Sequence, residues 1–170
     1  MSHTLLNPTA QATLHILRKA FNKQVDAGKA ALKVTDTALG DITAIIELTH
    51  EHFHGSLAFA FNSQTAFSFT QFLINETHVS INETVKHIAS DVAVMIGGEI
   101  KRRFADLGVT VSLKHPKVLA GYQQKVEHPL PGIKIVFPFN TEDGIVFLES
   151  CFHTFKANPL CTINNDAIAA

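Results

Sequence analysis

Long apolar runs are missing from this chain. No stretch of about 18 apolar residues occurs among its 170 residues, which argues against a membrane-spanning helix. Cysteine is scarce. Cys151 and Cys161 are the only two, in no metal-ligand spacing, and read as reduced thiols rather than a disulfide framework. Charge is sparse as well. Charged residues make up 17% and the net charge is −1, so no basic surface advertises nucleic acid and no charge excess keeps the chain disordered. The N-terminal residues, Met1 to Pro8, lack the basic start and apolar run of a signal peptide. The sequons Asn75-Glu76-Thr77 and Asn82-Glu83-Thr84 therefore carry no weight as glycosylation sites. A cytoplasmic protein is expected. A glycine-rich phosphate loop is also absent. Gly97-Gly98 falls inside a helical pattern, where it reads as permitting close approach of another backbone.

What is present suffices for a buried core. Hydrophobic residues make up 46%, and the length suits one domain over residues 1–170. A helix is expected from Asn7 to about Val25 within an N-terminal segment 1–28, with Pro8 in its first turn and Leu14, Leu17 and Phe21 on one side. Residues 30–38 and 41–49 read as two strands joined near Leu39-Gly40-Asp41, and 56–62 as a third after a turn at His50 to Gly55. In that third strand Leu57, Phe59 and Phe61 face one way, Ala58 and Ala60 the other. Ser63 caps a short helix to Asn75, whose Phe67, Phe69, Phe72 and Leu73 form a core stripe. Short strands follow at 109–114 and 118–121, then a polar loop over 122–131. Strands 132–140 and 144–153 form a hairpin across Thr141-Glu142-Asp143-Gly144. Pro138 favours an edge position or a bulge. Residues 154–170 are expected to fray. This order predicts an α+β fold, an antiparallel sheet covered by helices.

The central feature is one long amphipathic helix over residues 80–107. Ser80 with Glu83 reads as a capping box, and Gly108 as the stop. At about 100° per residue Ile81, Val85, Ile88, Val92 and Ile96 form the core stripe. Val94 points the opposite way, among Glu83, His87, Asp91, Gly98 and Lys101. An apolar branch in a polar face is the oddity of the chain.

The order of elements, Asn7 to Thr13, the hairpin Ile45 to Phe61, the helix Ser90 to Lys101 and the later His115 to Gly121 together resemble the CheX-like chemotaxis phosphatases, relatives of CheC. The resemblance runs from about Leu6 to Phe152. It implies a CheX/CheC-like fold, a homodimer, and action on the aspartyl phosphate of a CheY-like response-regulator receiver domain. The partner would supply any Mg²⁺, leaving this chain with no cofactor of its own. The family's helix carries Asp or Ser, three residues, Glu, two residues, Asn, then twenty-one residues to a Pro. The Glu pairs with the receiver's lysine and the Asn orients a water. Here Pro116 keeps the frame, but the Glu position is Asp91, the Asn position is Val94, and the Asp/Ser position is His87. Gly98 and Lys101 match the helix's usual Gly and basic residue. An amide can both donate and accept; an isopropyl group does neither. The resemblance therefore implies an impaired phosphatase that retains receiver binding through Glu83, His87, Asp91, Gly98 and Lys101. Two alternatives stand beside it. One is an active phosphatase using His87 with Asp91, since a neutral imidazole can orient a water. The other is a non-enzymatic dimerisation module.

Other clusters read as structural. His50, His52 and His54 alternate near a hairpin tip and would share one side of an extended strand, a pattern that can bind Zn²⁺ or Ni²⁺. A polar turn is the plainer reading, with no metal site. Cys151 and His153 lack an oxyanion device or orienting acid, so Cys151 reads as a buried structural thiol. Lys101-Arg102-Arg103 reads as a solvated run at a helix end.

Overall fold

One antiparallel sheet organises the chain. The computed structural model describes residues 3–19 and 21–155. The elements run α1 (His3–Lys19), β1 (Val25–Ala27), β2 (Ala31–Lys33), β3 (Ile42–His50), β4 (Phe53–Phe61), α2 (Ser63–Ile74), α3 (Glu83–Asp106), β5 (Ser112–Leu113), β6 (Lys117–Ala120), β7 (Lys134–Thr141) and β8 (Gly144–Thr154). The strand order is β1-β7-β8-β4-β3-β5, with β2 also on β7 and β6 also on β3. The α+β class with a helix-covered antiparallel sheet is the observed one. No helix among the described residues is long and apolar enough to cross a membrane.

The period-2 pattern of the strands sorts residues onto two faces. Ile42, Ala44, Ile46 and Leu48 of β3, with Leu57, Phe59 and Phe61 of β4, enter one core with Val85, Val92, Ile96 and Ile100 of α3. Each large side chain removed from water there contributes roughly 1.5–3 kcal/mol. The opposite face has a thinner cover. Ile45 and Ala58 pack there with Val126, flanked by Ala38 and Leu119. The alanines of β4 suit this side because a loop, not a helix, lies over it.

That thinner side also buries charge. Lys33 on β2 bonds Glu149 on β8, and His128 Nε2 lies 2.9 Å from the other oxygen of Glu149. The three side chains are 6%, 3% and 6% exposed. Burial pushes the Glu149 carboxyl up, but the hydrogen bonds from His128 and Lys33 outweigh it and hold the carboxyl below its ordinary range. The cluster ties the edge strand β2 and the loop after β6 to the centre of the sheet.

Several local expectations change. Helix α1 begins before Pro8 and ends at Lys19, rather than running from Asn7 to Val25. Leu5 and Leu6 are buried, and that burial draws the residues preceding Pro8 into the helix despite the missing N–H. Val25–Ala27 is a strand paired with β7. Of residues 30–38, expected to be one strand, Ala31–Lys33 forms the strand, and it pairs with β7. The turn of the β3–β4 hairpin is only Glu51-His52, because His50 pairs with Phe53. Asn62, not Ser63, caps α2, accepting from Thr65 N. Asn82 caps α3 by accepting from Val85 N, replacing the capping box expected at Ser80. An amide oxygen three residues before the orphan N–H does the same work. Of the α2 aromatics Phe69 is buried, but Phe72 is half exposed. Pro138 sits at an irregularity of the outer pairing, where residues 28–30 stand opposite only 137 and 138, as the expectation of an edge or bulge position requires. It lies on β7 where the outer neighbour breaks between β1 and β2, and its carbonyl accepts from Gly28 N at 2.8 Å. The break spares the donor that proline lacks. Thr154 still belongs to β8, and Phe155 N donates to His52 O at 2.9 Å. The rest of the expected tail, with Cys161, lies outside the described residues.

Two stability measurements follow. Glu149→Gln leaves the Lys33 ammonium buried without its counter-charge, and the urea-unfolding free energy should fall by about 3 kcal/mol or more. On α3, Arg102 makes two hydrogen bonds to Glu99 and Arg103 a third, so the Glu99 carboxyl is pushed down to about 2 from an ordinary 4.5. A carboxyl depressed by folding stabilises the protein above its unfolded value and loses that contribution as pH falls through the folded one. Stability should therefore decline between pH 4.5 and 2 in wild type. In Glu99→Gln that acid limb should be flatter in pH-dependent thermal melts.

Candidate functional site

The buried stripe of α3 decides which of its residues reach solvent. With Val85, Ile88, Val92, Ile96 and Ile100 turned inward, Glu83, His87, Asp91, Val94, Gly98 and Lys101 are all exposed. At about 1.5 Å per residue they form a strip roughly 27 Å long. Val94 is 50% exposed. Its isopropyl group lies on the wet side of the helix, with one flank against the protein.

That flank meets the loop between β5 and β6. Val94, Ile46, Leu113, Lys114, His115 and Pro116 line one shallow pocket of about 270 Å³. The structure thus brings Val94 and Pro116 into one wall across twenty-one intervening residues. The helix can come this close because of Gly97. A Cβ there would lie 3.1 Å from Ile46 Cδ1 and 3.3 Å from Leu113 Cδ1, whereas at Gly98 it would meet nothing within 4 Å. The pair therefore works asymmetrically: Gly97 packs against side chains of β3 and β5, and Gly98 leaves the outer face bare.

The loop between β5 and β6 is held at both ends by β3. Leu48 pairs with Leu113 and Ile45 with Lys117, and Lys114 N donates to Glu47 O at 2.9 Å. Lys114 Nζ bonds Glu47 Oε2 at 2.7 Å, and His54 Nε2 lies 3.2 Å from the same oxygen. Hydrogen bonding by Lys114 is the main cause holding the Glu47 carboxyl below its ordinary range.

The other strip residues are loosely tied. Glu83 is held below the ordinary carboxylate range by Lys86, 2.7 Å away. No hydrogen bond or salt bridge joins His87 to Asp91. His87 precedes Val94 by seven residues, two turns or about 10 Å along the axis, and does not line the pocket. Of the basic run, Arg102 pairs with Glu99 and Asp106, and Arg103 with Glu99; Lys101 stands exposed beside them. Lys114 and His115 were missed as pocket residues when the sequence was read. Their adjacency to Pro116, the end of the spaced motif, was the available signal.

The remaining sequence clusters separate. His50 shares a face with its partner Phe53 and stacks on it at 5.0 Å. His52 sits in the turn beside Glu51. His54 emerges on the opposite face and contacts Glu47. A two-residue turn, rather than a continuous strand, breaks the shared side that the alternation suggested. Among the described residues no group of three or more His, Cys, Asp or Glu could hold a metal ion. Cys151 is buried, and burial together with the Glu149 charge pushes its thiol up. His153 Nδ1 is 3.1 Å from Pro131 O, not turned to the thiol.

A sheet of this order under a long exposed helix defines the CheC-like class of fold. A CheC-like superfamily protein from Shewanella sp. PV-4 is 27% identical, with 90% of this chain and 99% of that one covered at a TM-score of 0.81. Chemotaxis protein CheX from Vibrio vulnificus is 25% identical, with 88% and 99% covered and a TM-score of 0.79. CheX in a CheX–CheY–BeF₃–Mg²⁺ complex from Borrelia burgdorferi shares the fold at 19% identity, with 87% and 97% covered and a TM-score of 0.74. No curated protein gives a match. The family described as chemotaxis phosphatase CheX matches residues 42–140, more than half of the chain, and the chain belongs to that family.

Because Val94 is half exposed and makes no buried polar contact, Val94→Asn should leave the urea-unfolding free energy within about 0.5 kcal/mol of wild type. A larger loss would mean that the isopropyl group is a packing element of the pocket.

Proposed function

We propose that this chain is a chemotaxis or two-component signalling protein that docks a CheY-like receiver domain on the exposed strip of α3 and removes its phosphate only slowly. One observation carries the reading. A half-exposed isopropyl group occupies the place beside Pro116 where the family pattern calls for a water-orienting amide. Asp91 keeps the acid in kind, one methylene shorter, for a lysine of the receiver. Glu83, His87, Gly98 and Lys101 supply the rest of the docking surface.

The physical argument concerns positioning. An aspartyl phosphate is already activated, so a phosphatase of this type mainly holds one water in line with the breaking bond. Valine has no donor or acceptor for that water. The Borrelia relative was captured with CheY carrying beryllofluoride, a stand-in for the phosphoryl group, and Mg²⁺. By the same logic the metal here belongs to the partner, and this chain brings no cofactor. His87 is a poor substitute for the amide, since it stands about two turns from Val94. A homodimer working in the cytoplasm completes the proposal.

The test uses receiver domains of the host organism, phosphorylated with acetyl phosphate and Mg²⁺. Val94→Asn, alone or with Asp91→Glu, should raise the rate of phosphate release on the order of 10–100-fold over wild type. Wild type should bind a beryllofluoride-loaded receiver. Absence of binding by any receiver would leave the dimerisation module as the better reading; sedimentation gives the oligomeric state.

A further inference from the structure

We infer that His115, a residue outside the helix motif, orients the hydrolytic water at this face and accounts for the slow hydrolysis that remains. The inference rests on the proposed docking of a phosphorylated receiver over Val94.

Three observations carry it. First, His115 lines the same pocket as Val94 and Pro116, the space that the missing amide would serve. Second, its tautomer is set. Nδ1 lies 3.1 Å from Pro116 O, and a carbonyl oxygen only accepts. Nδ1 therefore carries the hydrogen, and the neutral ring leaves the Nε2 lone pair unused. Third, the residue is exposed but its backbone is pinned. Pairing of Leu113 and Lys117 with β3 on either side fixes the loop, so an exposed ring need not cost a mobile backbone. His87 is exposed too, but it does not line the pocket.

The charged groups around the ring come from each neighbouring element. Lys114 precedes it and is tied to Glu47 of β3. Lys117 follows on β6, and Asp91 stands three residues before Val94 on α3.

In the step, Nε2 accepts a hydrogen bond from a water. The water oxygen forms a bond to phosphorus as the bond from phosphorus to the receiver's aspartyl oxygen breaks. The bonding pair leaves with that carboxylate, and the water proton passes to Nε2 and then to solvent. The receiver's own Mg²⁺ bears the phosphoryl charge. General-base help of this kind is commonly worth 10²-fold or more; at an exposed ring a smaller factor is expected.

The experiment measures phosphate release from acetyl-phosphate-loaded receiver domains of the host organism, together with binding of the beryllofluoride-loaded receiver. Wild type should accelerate release over the receiver alone by about 10-fold. His115→Ala should remove the acceleration with binding unchanged within about twofold. His115→Gln should restore part of the rate, because an amide still orients water without taking its proton. In His87→Ala any loss should fall on receiver binding and not on the rate of release from the bound complex. If the receiver binds but His115→Ala releases phosphate as fast as wild type, or wild type gives no acceleration, His115 has no such role while the docking proposal stands. If no receiver binds wild type, both readings fall together.

Discussion

Everything at the candidate site depends on how closely α3 approaches β3 at Gly97. The helix meets the tips of Ile46 and Leu113 there with no side chain of its own between them. That contact sets the depth at which α3 sits on the sheet. The rotation of the helix then follows from its inward stripe, and the exposed strip follows from the rotation. A Cβ at position 97 would require the tips of Ile46 and Leu113 to give by a few tenths of an ångström. The packing here is the load path between a core arrangement and a surface chemistry, because close-packed interiors transmit small displacements rather than absorbing them.

The pocket shows how one substitution can change the work a fold does while the fold persists. The frame around Val94 consists of apolar contacts and backbone pairing: Ile46, Leu113, Pro116 and the β3 ladder. None of these depends on what the half-exposed side chain can donate or accept. Chemistry at such a face can therefore be weakened, or moved to a neighbour such as the imidazole of His115, at little cost in stability. The buried ionic cluster of Lys33, Glu149 and His128 is the opposite case. Its members pair with one another away from water, although His128 Nδ1 is buried without a partner, so changing one strands the others. It lies on the loop-covered side of the sheet and belongs to the architecture.

Much of the fold was legible in the sequence, and the misses have physical causes. The α3 stripe from Val85 to Ile96 was readable because a long helix repeats its period many times. The β7–β8 hairpin was readable from Asp143-Gly144. Short elements failed: Val25–Ala27 and Ala31–Lys33 are three-residue strands whose extended form comes from pairing with β7, not from their own residues. Pro8 pointed to a helix start because local propensity was read without the burial of Leu5 and Leu6. The histidine alternation misled because a two-residue turn reverses the face between His50 and His54. At the site, the spacing from Val94 to Pro116 was visible, but Lys114 and His115 were not marked as its neighbours.

By itself the sequence determined the fold class, the identity of the exposed face of α3, and the absence of an amide at position 94. Each is a consequence of local periodicity or of a residue's own functional groups. Only the tertiary structure decided that Val94 is half exposed and walled by a loop about twenty residues downstream, that Gly97 and Gly98 have different surroundings, and that His115 Nδ1 lies 3.1 Å from the Pro116 carbonyl oxygen. Those properties arise from which segments β3 recruits on its outer edge, and pairing between distant segments is not written in any one of them.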